Sequence, residues 1–383
     1  MAAPFVSPRT LDDAVVEKAM AWFGQARRGE QHTDWNSIPF TRKQDLRAPL
    51  RPYPDTGRWI ATLSSSGTTA DPVVSPWSEA DERVADATMR AIHALCPPID
   101  GARCAVIAPS PALAAAYFMR REIAVNGGIP HLITSTDPEA VCRALEEGIE
   151  VVFSLPLIAA RIGEYWHATR GAPPADIRMV FCGGDVLSPA RQALLAAMWD
   201  ALVFNMFGCS ELFGPVAGPG SHGGSLVWRC EPVAVEVLDP ATLAPCGPGE
   251  TGVIVLSTLW SKASPLLRYW TDDLIRLTDD PATPFAFDYI GRPPSMLIVA
   301  GKQIPLRDID DALLSDGCCT SEWAVHQEPD RILFEVEMPR GQDAARKLLG
   351  EIIGAPVELV PAKPGTLPRT SPKFAVRTPV RSP

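Results

Sequence analysis

The spacing of apolar and polar residues along the chain predicts three regions of different character. After Thr10, "LDDAVVEKAMAWFGQARR" repeats its apolar residues at helical spacing, with Thr10 as a candidate N-cap and Asp13 three residues on. Ser78 and Asp81 open a second helix, "EADERVADATMRAIHAL". Short apolar runs then alternate with helical stretches. The runs are "RCAVIAP", "IPHLIT", "EVVFSL", "IRMVFC" and "ALVFNMF". Between them lie "ALAAAYFMRREIAVNG", "PEAVCRALEEG", "PLIAARIGEYWHATR" and "SPARQALLAAMW". Continuous apolar strands separated by helices predict parallel sheets covered on both faces. Ligands in such folds bind at the carboxyl ends of the strands.

From about Ser225 the pattern turns strand-rich, in "SLVWRCEPVAVEVLDP", "GETGVIVLSTL" and "SPLLRYWTDDLIRLT", which predicts a β subdomain. Beyond "FDYIGRPPS" a smaller α+β segment follows, with β-like "MLIVAG" and "RILFEVEM" and helical "RDIDDALL" and "QDAARKLLGEIIG". Pro293 and Pro294 make a stiff boundary. The expected fold class is therefore α/β. A large N-terminal domain over residues 1–291 combines helix-covered, mostly parallel sheets with a β subdomain, and a small α+β C-terminal domain fills 292–383. The tail "PAKPGTLPRTSPKFAVRTPVRSP" is Pro-rich and basic, and by itself reads as a flexible end.

Composition narrows the partners. The 383 residues are 46% hydrophobic and 21% charged, which suits a soluble chain with a large core. The formal net charge is −10, and no run of Lys and Arg stands out. That argues against a nucleic-acid or anionic-membrane partner. No secretory signal and no apolar stretch of about 20 residues is found, so a cytoplasmic monomer or homodimer is expected. Nine cysteines are scattered with no CxxC pair and read mostly as reduced thiols in small apolar sites. His222, Cys209 and Cys230 could gather around zinc, but their spacing matches no metal pattern closely.

Four stretches could carry chemistry. "LSSSGTTADP" (Leu63–Pro72) offers Ser65, Ser66, Gly67, Thr68 and Thr69, whose hydroxyls and backbone N–H groups suit a phosphate chain, although an exposed loop has the same composition. "FNMFGCSELFGP" sets Gly208, Ser210 and Glu211 just after a strand. "RYWTDDLIRL" sets Arg268, Thr271, Asp272 and Asp273 at a sheet edge. "PRTSPKFAVR" carries Lys373. Each alone is also a polar strand end, a surface charge cluster or a solvated tail.

In this order the four resemble the adenylate-forming superfamily of acyl-CoA synthetases and nonribosomal adenylation domains. "IPFTRKQDLR" (Ile38–Arg47) and "GCSELFGPVAGPG" resemble its phenylacetate–CoA ligase branch. The resemblance runs from about residue 38 to residue 377. It implies ATP and Mg²⁺, with an acid attacking the α-phosphorus and pyrophosphate leaving. Ser65, Ser66, Gly67, Thr68 and Thr69 then match the loop on the β- and γ-phosphates. Glu211 matches the residue that holds Mg²⁺, and Asp273 the carboxylate that takes both ribose hydroxyls. "FCGGDVLS" resembles the segment flanking adenine, with Gly183, Gly184 and Asp185, and Phe207 lies against the base or the acyl pocket. Gly208, Ser210 and Arg292 join the nucleotide-binding set. Lys373 matches a mobile lysine that bridges carboxylate and α-phosphate oxygens. The resemblance also implies a mobile C-terminal domain and a thiol acceptor, either coenzyme A or the phosphopantetheine of a carrier protein.

The sequence departs from that pattern in places. Ala70 and Asp71 end the phosphate loop, Trp270 and Asp272 replace an arginine and a glycine, and Pro294 replaces the hinge aspartate. Ala300 stands where a second arginine is expected, with Lys302 a possible substitute. The adenylation residues Thr68, Glu211, Asp273 and Lys373 are kept. Acyl transfer to an amine or hydroxyl without CoA, or a degenerate nucleotide- or acid-binding homologue, therefore stays open beside the thiol ligase. By the same resemblance the acyl pocket involves Tyr117, Phe118, Ser154, Phe181, Gly183 and Phe207. That mixture suits a compact aromatic acid of the benzoate, salicylate, anthranilate or phenylacetate kind, as in secondary metabolism. His131 and His222 read as surface or core residues.

Overall fold

A computed structural model describes residues 35–47, 61–64, 74–108, 114–220, 225–231, 233–259, 261, 263–279, 283, 285–328, 331–338 and 341–367. The helix expected after Thr10, the phosphate-loop stretch and the tail with Lys373 lie outside these residues.

In chain order, β1 (Ala61–Ser64) pairs antiparallel with β2 (Val74–Trp77). α1 (Glu79–His93) starts at the predicted capping box, in which Ser78 Oγ accepts from the Asp81 amide at 3.3 Å and Asp81 accepts from the Ser78 amide at 2.8 Å. β3 (Arg103–Ile107), α2 (Ala114–Val125) and β4 (Ile129–Ile133) follow, with β3 and β4 parallel. Next come α3 (Pro138–Leu145), β5 (Val151–Ser154), α4 (Pro156–Arg170), β6 (Met179–Gly183), α5 (Pro189–Trp199) and β7 (Leu202–Cys209). Each of α3, α4 and α5 carries a proline in its first turn, where no intrahelical donor is lost. β5 and β6 are parallel and buried at every position, as continuous apolar runs predict.

The strand-rich region gives β8 (Gly214–Pro219), β9 (Leu226–Trp228), β10 (Val233–Leu238), β11 (Thr251–Thr258), β12 (Tyr269–Leu277) and β13 (Ala286–Gly291). The last segment adds β14 (Met296–Val299), β15 (Lys302–Pro305), α6 (Leu306–Ser315), β16 (Trp323–Gln327), β17 (Ile332–Glu337), α7 (Gln342–Ile353) and β18 (Glu358–Ala362). The chain is α/β, and it divides into two compact units. One holds residues up to Thr134 together with Met206–Tyr289, and the other holds Ser135–Asn205 together with Ile290–Pro383.

In the first unit seven strands run in the order β10-β11-β12-β13-β9-β8-β7. The pairs β7–β8, β8–β9, β9–β13, β10–β11 and β11–β12 are antiparallel. Their core gathers Trp228, Val235, Ile254, Leu256, Ile275 and Phe287, and it takes in Trp35, Ile38 and Leu46 from the lead-in segment. Backbone bonds fix that segment: Thr41 N donates to Arg268 O at 3.1 Å and Trp270 N to Thr41 O at 2.9 Å. The Arg268 guanidinium is buried. It pairs with Glu236 at 2.9 Å and donates to the carbonyls of Ile38 at 2.9 Å and Trp35 at 3.3 Å.

In the second unit, β14 and β15 form a hairpin closed by Ala300 (φ 48) and Gly301 (φ 81). Two positive φ values in a two-residue loop make a type I′ turn, so Ala300 holds a conformation that side chains rarely adopt. Pro294 sits in a short 3-10 turn, Pro293–Ser295. β16, β17 and β18 form a three-stranded sheet whose second pair is parallel. None of the described helices is long and apolar enough to cross a membrane.

None of the nine cysteines is in a disulfide. Burial pushes the thiols of Cys96, Cys182 and Cys230 up to about 12, and those of Cys142 and Cys246 up to about 11. An unfolded thiol ionises near pH 8.5, so above that pH the unfolded state loses protons that the folded state keeps. Stability should therefore be intact below about pH 8 and fall as the pH rises toward 10.5. Thermal melts across that range check this, and a flat Tm would contradict it.

Candidate active site

The acidic motif is built by a tight approach of two strands. β7 and β8 pair with a shift of register between Phe207 and Gly208. A Cβ at Gly208 would lie 2.2 Å from the carbonyl oxygen of Gly214, so the chain needs glycine there. The 3-10 turn Ser210–Leu212 follows, closed by Phe213 at φ 67. This geometry presents Glu211. Gly208→Ala must push the strands apart, with an expected loss of about 1–3 kcal/mol. A denaturant titration checks this; an unshifted midpoint would place the strands further apart than described.

Glu211 is buried at 5% exposure and has three polar neighbours. The Tyr269 hydroxyl donates to it at 3.1 Å, and the Ser210 hydroxyl donates at 3.1 Å. Lys43 Nζ lies 3.5 Å from its carboxylate. Asp273, on β12, is buried at 2% exposure and accepts from the Tyr289 hydroxyl at 2.9 Å. The Tyr289 ring lies 5.0 Å from that of Phe207, which meets Phe287 edge-on at 5.6 Å. Burial pushes the Cys209 thiol well up, and the charges of Glu211 and Asp273 push it further. Burial likewise raises the Tyr269 hydroxyl, again with Glu211 as the next cause, so it stays a donor at neutral pH. The first unit thus brings Phe207, Gly208, Ser210, Glu211 and Asp273 together around two buried carboxylates.

The two residues that depart from the family motif bind each other. Asp272 adopts φ 63, the conformation a glycine takes readily, and its carboxylate accepts from Trp270 Nε1 at 2.8 Å. Phe40 packs edge-on against Trp270 at 5.1 Å, and the Arg42 guanidinium lies 4.2 Å from the same ring centre. Tyr117 and Phe118 belong to a separate aromatic cluster in the same unit. Trp77 is fully buried there, stacked on Phe118 at 5.6 Å and edge-on to Phe213 at 4.3 Å and Tyr117 at 5.9 Å. The Trp77 ring nitrogen finds no hydrogen-bond partner among the described residues.

The second unit holds the other expected residues. Gly183 ends β6, Gly184 takes φ 80, and the Asp185 carboxylate accepts from the Val186 amide at 2.8 Å. Phe181 is fully buried between Phe153 at 4.6 Å and Phe204 at 5.0 Å. Ser154 is fully buried, and its hydroxyl has no partner among the described residues. Arg292 caps the turn Pro293–Ser295. Ser65, Ser66, Gly67, Thr68, Thr69 and Lys373 lie outside the described residues, as do Ala70, Asp71 and His222. Ser64 pairs with Val74 on the two sides of the phosphate-loop stretch. Among the described residues no group of three metal ligands is found.

Sequence reasoning passed over Lys43, Tyr269 and Tyr289. All three sit inside stretches already quoted, "IPFTRKQDLR", "RYWTDDLIRL" and "FDYIGRPPS". Their place inside those stretches was the only signal, and the sequence does not show which carboxylate each of them meets.

Glu211, in the turn after β7, and Asp273, within β12, are thus buried carboxylates in two of the motifs that carry the resemblance. The family described as "AMP-binding enzyme" matches residues 47–260, more than half of the chain, and the protein belongs to that family. It is 28% identical over 331 residues to the phenylacetate–coenzyme A ligase of Thermus thermophilus, covering 80% of this chain and 70% of that one. The adenylate-forming resemblance and its phenylacetate–CoA ligase branch are thereby confirmed. Among solved structures, a 2-hydroxyisobutyryl-CoA ligase in the postadenylation state superposes with a TM-score of 0.80 at 17% identity, covering 98% of this chain and 93% of that one. An anthranilate CoA ligase in complex with anthranoyl-AMP gives 0.62 at 14% identity, covering 85% and 68%. These likenesses establish the shared α/β fold.

Proposed function

We propose that the protein activates a small aromatic carboxylic acid with ATP and passes the acyl group to the thiol of coenzyme A. The observation that carries this reading is the pair of buried carboxylates, Glu211 and Asp273, in the two motifs where the family's nucleotide residues are expected. In the first half-reaction one oxygen of the acid bonds to the α-phosphorus as the bond from that phosphorus to pyrophosphate breaks. Both partners are anionic, so positioning and charge balance must come from the protein.

Glu211 is suited to hold Mg²⁺, because its hard oxygens are preoriented by Tyr269 and Ser210, with Lys43 alongside. The bound ion would supply charge neutralisation across phosphate oxygens. Lys43 gives this site a second positive charge within reach of a phosphate. Asp273 is the carboxylate that would take the ribose hydroxyls, with Tyr289 fixing its orientation. Gly183, Gly184 and Asp185 form a turn at a strand end suited to adenine. The hydroxyls at 65, 66, 68 and 69 serve the outer phosphates, and Lys373 serves the transferring group.

The similarity to phenylacetate–coenzyme A ligases supports an aromatic acid. Ala300 in its tight turn and Pro294 in its 3-10 turn favour a second reading, in which an amine or hydroxyl replaces CoA as acceptor. Product analysis after incubation with ATP, substituted benzoates and phenylacetates, and either CoA, a carrier protein or amines separates the two. An acyl-CoA product supports the ligase, and an amide or ester formed without CoA supports the alternative. Bound ATP with no turnover on any acid would indicate a degenerate homologue.

A further inference from the structure

α5 begins six residues after Gly183, and its N-terminus is held by groups from α6, more than a hundred residues along the chain. Ser188 Oγ accepts from the Arg191 amide at 3.1 Å and donates to Asp310 Oδ2 at 2.6 Å. Arg191 donates to Asp310 through Nη2 at 2.6 Å and through Nε at 3.1 Å. Its remaining donors reach Glu322 at 3.3 Å and Ser321 O at 2.9 Å. Trp323 Nε1 donates to Asp310 Oδ1 at 2.8 Å. Next to this, Asp311 accepts from the Ala190 amide at 2.8 Å. Ser188, Arg191, Asp310 and Glu322 are all almost completely buried.

Asp310 thus receives four donors, which fill the roughly four lone-pair positions of a carboxylate. Such a site accepts one geometry only, since any shift strands a buried charge or donor. The same turn is braced at a second point. A Cβ at Gly291 would lie 3.2 Å from Val186, so the backbone at the start of the last segment abuts the middle of the turn. The segment 183–188 is therefore approached at Val186 by the backbone of Gly291 and bonded at Ser188 to Asp310.

We propose that Asp310 is a positioning residue for the nucleotide, acting through Ser188 and Arg191 to hold the Gly183–Ser188 turn in its binding conformation. This rests on the reading of Gly183, Gly184 and Asp185 as adenine-flanking residues. It makes ATP affinity depend on how α6 packs against α5, a dependence that neither segment's sequence reveals.

The test measures the dissociation constant of MgATP by calorimetry, hydrogen exchange at amides 183–188, and the unliganded Tm. The variants are Ser188→Ala, Asp310→Asn and the apolar triple Arg191→Met, Asp310→Leu, Glu322→Leu. The triple guards against simple unfolding, because buried ionic clusters are often replaced by apolar side chains without loss of stability. Ser188→Ala and Asp310→Asn are expected to weaken MgATP about fivefold or more, with faster exchange at 183–188. The triple is expected to show the same weakening while its Tm stays near wild type. Folded variants that bind MgATP within about twofold of wild type would overturn the proposal. Weakening that tracks Tm loss without faster exchange at 183–188 would do so as well. Wild-type protein that failed to bind MgATP would instead overturn the nucleotide reading, and the coupling with it.

Discussion

Glu211→Gln is expected to lower acid-dependent ATP–pyrophosphate exchange by about two to three orders of magnitude, the usual consequence of removing one preorganised electrostatic group from a reacting centre. The Tm should stay within a few degrees of wild type. The reason lies in the surroundings of the carboxylate. Tyr269 at 3.1 Å and Ser210 at 3.1 Å donate to different carboxylate oxygens; in glutamine one of these stays an oxygen acceptor, and the hydroxyl that meets the new NH2 can rotate to accept from it. What the change removes is the negative charge, and with it the hard anionic ligand for Mg²⁺ and the partner of Lys43 at 3.5 Å. A folded Glu211→Gln protein with near-normal exchange would show that this carboxylate is only a core anchor.

Arg268→Ala should cost stability rather than chemistry. Arg268 looks like a member of a catalytic charge cluster, yet it is buried at 5% exposure and faces Glu236 and the carbonyls of Trp35 and Ile38. Phe40 lies against its guanidinium, 4.4 Å from the ring centre to Cζ. Alanine would leave Glu236 charged in the interior and remove the guanidinium from the carbonyls of Trp35, Asn36 and Ile38, at an expected cost of about 3–5 kcal/mol. Urea unfolding reads this directly. Arg268→Ala with an unshifted midpoint and a lost exchange rate would reverse the assignment and make Arg268 a residue of the reaction.

Local signals were the legible part of this chain. The helix "PLIAARIGEYWHATR" begins with a proline and ends before Gly171 at φ 77, and α4 covers that stretch, Pro156–Arg170. The box at Ser78 and Asp81 likewise starts α1 where expected. β8 was not legible, because "GPVAGP" has the composition of a turn. It is a strand because β7 and β9 pair with it on both sides, and because Gly218 leaves room for Ile92. Propensity yields there to long-range pairing.

The candidate site divides in the same way. Glu211 and Asp273 could be named because they sit in stretches with a recognisable order. Their neighbours could not be assigned from spacing, since Tyr269 is 58 residues from Glu211 and Lys43 further still. The Arg191–Asp310 cluster, with partners 119 residues apart, left no mark in either local pattern. Asp272 is the instructive exception. It stands where the family pattern has glycine, and the structure places it at φ 63, so the backbone demand is kept while the side chain turns to Trp270.

The most direct test is ATP–pyrophosphate exchange with wild-type protein across substituted benzoic, cinnamic and phenylacetic acids, repeated with Lys373→Ala. Exchange stimulated by one small aromatic acid, and abolished by the substitution, is the predicted result. MgATP binding with no exchange on any acid of that panel would contradict the claim that these residues activate a carboxylate.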